Sequence, residues 1–505
     1  MKYRLITFIS GFVIMAVELI AARIVAPIIG SSIFTWTSVI GIVLLGISFG
    51  NYFGGHLIDK KPEKKVLFGL LVSAAVFIAL IPFLSKLNPI IVFLKTTLML
   101  KTILISAILF FAPAFFLGSI FPAALKLYTN EINKIGKNAG LLSGLGALGS
   151  ILGTFITGFL LFGLLGSYAS LYILSLVLLA ASIIFGKLSY KTFWIALVII
   201  IILIFSVDSS YAKTNIVFEN ESKYYNIKIV DSKINGKDAR VLFLDFDSHS
   251  IESKTKEKIG TYQETASIFE VFKKDLNEIL VIGGGSYNFP KDFYDIYSSN
   301  IDVVEIDPEV TRAAENFFNL KDYPIKSFNT DGRYYLTINE KKYDLIFNDA
   351  FNSFISAPWY LSTDEANKLV KKRLNPDGVY IANIIASNKE GSSEWFHSFA
   401  KTFSNTFPNY YLIYFGKNLK NPQNMFFVGI NSDKKIDSEK LENKITALSN
   451  ETKFKLNPKF IYQPEISNRA IILKDNFAPV EKLTSGLIKS YIETYSLWAY
   501  SVIGF

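Results

Sequence analysis

Cysteine is absent from this 505-residue chain, which excludes disulfides, thiolate metal sites and a cysteine nucleophile. Histidine is nearly absent too. His56, His249 and His397 are far apart and share none of the short spacings of zinc ligands, so no metal site is expected. Charge is scarce in one half only: long apolar runs extend to about Ser209, and the remainder is rich in Lys, Asn and Asp. Half of all residues are hydrophobic and the mean hydropathy is +0.33, which excludes an ordinary soluble enzyme. A membrane domain followed by a soluble domain accounts for both halves. The net charge of +9 is carried by lysines scattered through loops, without a basic-aromatic stripe. Nucleic acid is therefore not an expected partner.

The apolar half, residues 1–209, contains about seven candidate spans: 5–29, 34–57, 66–86, 103–127, 138–165, 167–186 and 192–208. Each approaches the roughly 20 apolar residues that cross a bilayer, so a lipid bilayer is the expected partner. The first span carries Glu18 and Arg23 and is too long for a cleavable signal peptide. Residues 88–100 are apolar but short, as expected of an interfacial or re-entrant piece. Gly46, Gly50 and Gly54 recur every four residues, as do Gly140/Gly144 and Gly149/Gly153, a spacing that lets helix backbones pack closely in lipid. Glu18 is costly near mid-bilayer and calls for a partner or a wet cavity; Arg23, five residues on, is not on quite the same face. The loop Asp59–Lys65 and the lysines at 126, 134, 137, 187 and 191 mark one side as cytoplasmic. With seven spans this puts the soluble domain outside; with residues 88–100 crossing, inside.

From about residue 215 the pattern becomes strand-like. Ile216–Glu219, Tyr225–Val230 and Ala239–Asp245 read as strands of a small β-sheet subdomain, 215–275, with a helix-like stretch at Thr261–Lys274. Residues 276–505 form the main domain. There an apolar strand, Glu278–Ile282, runs into Gly283, Gly284 and Gly285, and a second, Ile301–Val304, ends in Glu305. This outlines a nucleoside-binding βαβ unit. Helices near 308–318 and 363–373 alternate with strands near Tyr343–Asn348 and Gly378–Ile385, which implies a parallel sheet covered on both faces. Ligands bind outside the carboxyl ends of such strands. That rule gathers Gly283–Gly285, Glu305, Asp331-Gly332 and Asp349 into one crevice, with Asp349 placed as a general base or cation holder beside an apolar wall.

These residues resemble the spermidine synthases (polyamine aminopropyltransferases), in the variety fused to a multi-span membrane domain. The resemblance rests on Glu221–Tyr224, Leu244-Asp245, Tyr262-Gln263-Glu264, Gly283–Gly285, Val304–Pro308, Asp331–Arg333 and Asp349, with Asn476–Glu481 similar to a closing segment of the membrane-fused members. It implies a polytopic α-helical domain, a small β-sheet and an α/β Rossmann-like catalytic domain. It also implies S-adenosylmethionine or its decarboxylated form as substrate, with no cofactor beyond it. By the same resemblance Glu305 takes the ribose hydroxyls, Asp331 the adenine amino group, and Gln263 lies along the sulfonium chain. Asp349 is the catalytic carboxylate and Tyr262 lines the acceptor pocket.

Three departures bear on the reaction. The family's Gly-Gly-Gly-Asp-Gly becomes Gly283-Gly284-Gly285-Ser286-Tyr287, its Asp-x-x-Asp becomes Asp349-Ala350-Phe351-Asn352, and its Tyr-Gln pair becomes Tyr224-Tyr225. A dicationic diamine favours opposed carboxylates, and two are gone. With a neutral Ser286 an intact substrate carboxylate is no longer repelled. The sequence therefore points first to a lyase that cleaves the propyl C–S bond of S-adenosylmethionine, releasing methylthioadenosine and homoserine lactone. Aminopropyl transfer is the alternative, with methyl transfer third. A non-catalytic transporter or sensor with an adenosyl ligand is the further reading. The expected location is the inner or plasma membrane with the soluble domain cytoplasmic, where the substrate is made, and a homo-oligomer through the soluble domain or the Gly-rich helices is left open.

Overall fold

The computed structural model describes residues 1–29, 33–85, 96, 98–185, 194–202, 215–234, 236–245, 247–255, 266, 269, 271–351, 357–432, 441, 443–444 and 459–488. It divides into two compact units: Met1–Thr214 with Glu221–Asn226, and Asn215–Asn220 with Ile227–Phe505.

The first unit is helical: α1 (Lys2–Ile29), α2 (Ile33–Lys60), α3 (Lys64–Leu84), α4 (Leu98–Tyr128), α5 (Ile135–Ile156) and α6 (Gly166–Ser182). Among the described residues, five stretches are long and apolar enough to cross a membrane: Lys2–Ala26, Ile33–Lys60, Lys64–Leu84, Met99–Tyr128 and Ile132–Leu161. The sixth expected span forms α6, whose 17 residues fall short of a bilayer's thickness. The seventh is described only over 194–202, where it is helical.

The glycine stripes set two of the helix contacts. In α2, a Cβ on Gly50 would overlap Phe115 O of α4, and one on Gly54 would lie 2.5 Å from Ser119 O. Ser119 Oγ donates to Gly50 O at 2.8 Å across the same contact. In α5, Gly149 and Gly153 lie against the backbone of Phe8 and Phe12 of α1. Gly140 and Gly144 have nothing within 4 Å of a built Cβ, so their repeat serves no helix contact among the described residues. Arg23 turns to the segment Glu221–Asn226, with Nε 3.4 Å from a Glu221 carboxylate oxygen and bonds to the carbonyls of Ser222 and Lys223. It is therefore not Glu18's partner.

The second unit opens with a four-stranded antiparallel sheet, β1 (Ile216–Glu221), β2 (Asn226–Ile234), β3 (Lys237–Leu244) and β4 (Asp247–Ser253), one strand more than the sequence pattern shows. Glu221–Tyr224 is mostly the β1–β2 turn, because Ser222 Oγ takes the amides of Tyr224 (3.0 Å) and Tyr225 (2.9 Å). The helix-like stretch Thr261–Lys274 lies largely outside the described residues.

The main sheet follows: β5 (Glu278–Ile282), α7 (Asn288–Tyr297), β6 (Asn300–Glu305), α8 (Pro308–Phe317), β7 (Lys326–Asn329), α9 (Gly332–Ile338), β8 (Tyr343–Phe351), α10 (Asp364–Arg373), β9 (Leu374–Ala386), α11 (Glu394–Thr406), β10 (Tyr410–Tyr414), β11 (Gln423–Ile430) and β12 (Lys459–Tyr462). Its strand order is β12-β10-β11-β9-β8-β5-β6-β7. The five strands β5 to β9 are mutually parallel, as expected. The last three add antiparallel pairs. The β10–β11 connection, 415–422, is too short for the crossover that a parallel pair needs. Phe347 of β8 anchors the core, with Phe289 at 4.5 Å and Phe269 at 5.7 Å between ring centroids.

A Gly149→Ala substitution is expected to force α1 and α5 apart. The loss is about 1–3 kcal/mol, the usual cost of overpacking, read as a lower melting temperature of the detergent-solubilised protein. Gly140→Ala is expected to be neutral or slightly stabilising, since it adds helix propensity in open space.

Candidate functional site

β5 delivers its glycines to the carboxyl edge of the sheet. Gly283 N donates to Val304 O at 2.9 Å, pinning the turn to β6. Gly283 has φ +95°, and a Cβ there would lie 3.1 Å from the backbone of both Asp349 and Ala350. Only glycine fits both the left-handed backbone and this approach. The loop and the end of β8 are thus locked together.

Glu305 closes the loop from the other side. Its Oε2 accepts from Gly284 N at 2.8 Å and Gly285 N at 3.4 Å, and its Oε1 accepts from Asp307 N at 2.9 Å. The residue is 6% exposed. Burial pushes its carboxyl above the ordinary value, and the three amides partly hold it down.

The two departures in the loop have visible structural consequences. Tyr287, which stands where the family pattern has glycine, adopts a left-handed backbone at φ +61°. A non-glycine residue there costs about 1–2 kcal/mol, which burial of the whole ring offsets. Its hydroxyl bonds Thr311 Oγ1 at 3.0 Å, and its ring lies 2.6 Å from where a Gly284 Cβ would stand. Ser286 is fully buried; its amide donates to Ser250 Oγ of β4 at 3.3 Å, and its own Oγ has no partner among the described residues. Asn288 Nδ2 donates to Ile251 O at 3.3 Å, and Lys291 Nζ to Glu252 at 2.8 Å, so three successive β4 residues hold the loop and α7. Nothing in the sequence announced that pairing.

Asp331 caps α9, its Oδ1 accepting from Tyr334 N at 2.9 Å. The adjoining Gly332 packs on Ile282, the last residue of β5, with 2.6 Å between a built Cβ and Ile282 Cγ2. Asp349 Oδ1 accepts from Asn383 Nδ2 at 2.8 Å. Asn383 is fully buried in β9 and went unnoticed in the sequence. Its signal was there: a lone amide inside Tyr380–Ala386, an otherwise apolar run.

The structure thus brings Gly283, Gly284, Gly285, Ser286, Glu305, Asp331, Gly332 and Asp349 to one edge of one sheet. Tyr262, Gln263 and Asn352 lie outside the described residues. Among the described residues, no cluster of three His, Cys, Asp or Glu could hold a metal ion. A groove lined by Asp302, Lys326, Phe328, Tyr335 and Lys341 contains none of the site residues. The acids at the strand ends, Glu305, Asp331 and Asp349, suit a ligand that combines hydroxyl groups with positive charge.

Gly284→Ala is expected to displace the buried Tyr287 ring and destabilise the protein by about 1–3 kcal/mol. Tyr287→Phe keeps the ring and loses only the hydroxyl's bonds to Thr311 and Ser327, about 1–2 kcal/mol. Urea unfolding followed by fluorescence distinguishes the two.

Residues 261–438 match the spermine/spermidine synthase domain. The chain is 30% identical over 188 residues to the "Probable polyamine aminopropyl transferase" of Bifidobacterium longum (strain NCC 2705), covering 36% of this chain and 41% of that protein. It thus spans less than half the length of that relative. It is 27% identical over 233 residues to the polyamine aminopropyltransferase of Vibrio vulnificus (strain CMCP6), covering 42% and 70%. With polyamine aminopropyltransferase 2 of Aquifex aeolicus (strain VF5) it shares 23% identity over 398 residues, 75% of this chain and 78% of that one. Among solved structures, a probable spermidine synthase from Corynebacterium glutamicum ATCC 13032 aligns with TM-score 0.43 and 17% identity, covering 51% of this chain and 96% of that one. Within the part of the chain that follows the apolar helices, residues 261–438 are thus similar to the spermine/spermidine synthase domain.

Proposed function

We propose that the C-terminal unit is an aminopropyltransferase-type enzyme that moves the propyl chain of decarboxylated S-adenosylmethionine onto an amine. The observation that carries this reading is the set of acids, Glu305, Asp331 and Asp349, at strand ends around a glycine loop that Glu305 itself binds. The names of the similar proteins, polyamine aminopropyltransferases, support it and favour it over the lyase suggested by the loop departures.

The chemistry asks little of the protein beyond alignment. A sulfonium-bound carbon is already electrophilic, so the amine lone pair forms the new C–N bond as the C–S⁺ bond breaks and its electron pair returns to sulfur. Methylthioadenosine leaves as a neutral thioether. The proton shed by the amine passes to Asp349, whose Oδ1 Asn383 fixes. Glu305 would hold the ribose hydroxyls, Asp331 the adenine amino group, and Gln263 the sulfonium chain; Tyr262 would line the acceptor pocket. The glycine loop fixes the distance between nucleoside and base, which is the positional part of the rate.

Intramolecular cleavage is the second reading, favoured by one feature: Ser286 is neutral and buried, its Oγ without a partner among the described residues. There the substrate's own carboxylate attacks the propyl carbon to give homoserine lactone. In both readings the helical unit lies in a bilayer and the catalytic unit faces the cytoplasm; a reporter fused to the C-terminus tests that side.

The solubilised full-length protein is to be incubated with decarboxylated S-adenosylmethionine and putrescine, and separately with S-adenosylmethionine alone. Methylthioadenosine is expected to accumulate only with the amine. Its release from S-adenosylmethionine alone would move the reading to the lyase, and no release in either would leave an adenosyl-ligand sensor. Asp349→Asn is expected to lower turnover by about 10²–10⁴-fold while methylthioadenosine affinity holds; a collapse of affinity would make Asp349 a binding residue.

A further inference from the structure

Asp475, at the head of the closing segment Asn476–Glu481, has no part in the chemistry above, yet it grips a side chain beside the crevice. Arg333 lies two residues past Asp331, with its side chain 19% exposed. Its Nη1 donates to Tyr360 O at 2.5 Å, Thr363 Oγ1 at 2.9 Å and Asp475 Oδ1 at 2.9 Å, and its Nη2 donates to Asp475 Oδ2 at 2.5 Å. Thr363 Oγ1 donates to Asp475 Oδ1 at 2.7 Å and accepts from Ala366 N as the cap of α10. One guanidinium therefore joins the Asp331 turn, the turn Trp359–Leu361 and the C-terminal segment.

Asp475 is itself anchored. Its amide donates to Glu365 Oε2 at 3.1 Å, and the preceding Leu473 O accepts from Asp364 N at 2.9 Å. The turn reaches the crevice: Leu361 Cδ1 lies 3.9 Å from a Cβ built on Gly332, whose nearest neighbour is Ile282 at the end of β5. A singly bonded surface ion pair adds little. This one is bidentate, shares a hydroxyl and is mostly shielded at the arginine, so its geometry is fixed.

We infer that Arg333, held by Asp475, is a positioning residue that fixes the turn Trp359–Leu361 against the Asp331-Gly332 side of the crevice. Without the carboxylate the guanidinium keeps two acceptors but regains rotamer freedom, and the turn carrying Trp359 loosens. The kinetic part of the inference rests on the aminopropyltransferase-type reading; the structural part does not.

The test is hydrogen exchange by mass spectrometry on the full-length protein, wild type against Asp475→Asn and Asp475→Glu, together with KM and kcat for the sulfonium substrate. In Asp475→Asn, peptides spanning 357–363 are expected to exchange about tenfold faster, the equivalent of one lost charge-assisted hydrogen bond, while β5 and β6 are unchanged. KM is expected to rise by a similar factor with kcat within twofold, and Asp475→Glu to restore most of both. Unchanged exchange at 357–363 would overturn the inference, as would a uniform rise across β5 and β6, which would make the pair a general stabiliser. A wild type without turnover would sink the proposed function, and the exchange data would still decide the clamp.

Discussion

The site depends on one buried carboxylate and the three amides that solvate it. A lone charge in the position of Glu305 would be too costly to bury; Gly284, Gly285 and Asp307 supply the donors that make it tolerable. The dependence runs both ways, because the glycine loop is held to β6 by that carboxylate and by the Gly283–Val304 bond. Gly283 in turn abuts the backbone of Asp349 and Ala350, and Gly332 rests on Ile282. The geometry of all four strand ends follows from the loop's placement.

That arrangement explains how the chain tolerates its departures from the family pattern. Tyr287 adopts a left-handed backbone of the kind that favours glycine and packs its ring against Gly284. Ser286 exchanges a charge for a hydroxyl at a place where β4 supplies Ser250 as a neighbour. Both residues are fully buried within the loop. The loop departures alone suggested cleavage of the intact substrate, whereas the reaction proposed above is aminopropyl transfer; under that proposal Asp349 and its hydrogen-bond partner Asn383 would stand at the reactive end.

Much of this was legible from local pattern. Strand Glu278–Ile282, its glycines and Glu305 lie within one βαβ unit, where spacing alone fixes contact, and the helical stripes Gly46/Gly50/Gly54 and Gly149/Gly153 mark faces that pack. What stayed hidden depends on pairing between distant segments. Ser250 on Ser286 and Asp475 on Arg333 have no local signature, and Asn383 stands out as a lone amide in an apolar run without revealing that Asp349 is its partner. Gly140 and Gly144 share the repeat of their neighbours but meet no partner among the described residues, since periodicity states which face is small and not whether a helix lies against it. The antiparallel β10 to β12 escaped notice because apolar runs do not reveal direction; only the short 415–422 connection does.

The most direct test of the account is methylthioadenosine binding, measured by calorimetry across pH, for the wild type and Glu305→Gln. With the folded carboxyl raised above the ordinary 4.5, only the ionised form accepts both ribose hydroxyls. Wild-type affinity is therefore expected to be full at neutral pH and to fall as pH drops through a value above 4.5. The Glu305→Gln affinity is expected to be lower by about tenfold or more and flat over the same range. Equal affinity in the two proteins, or a wild type that does not bind methylthioadenosine, would contradict the claim that Glu305 and the glycine loop form the nucleoside site.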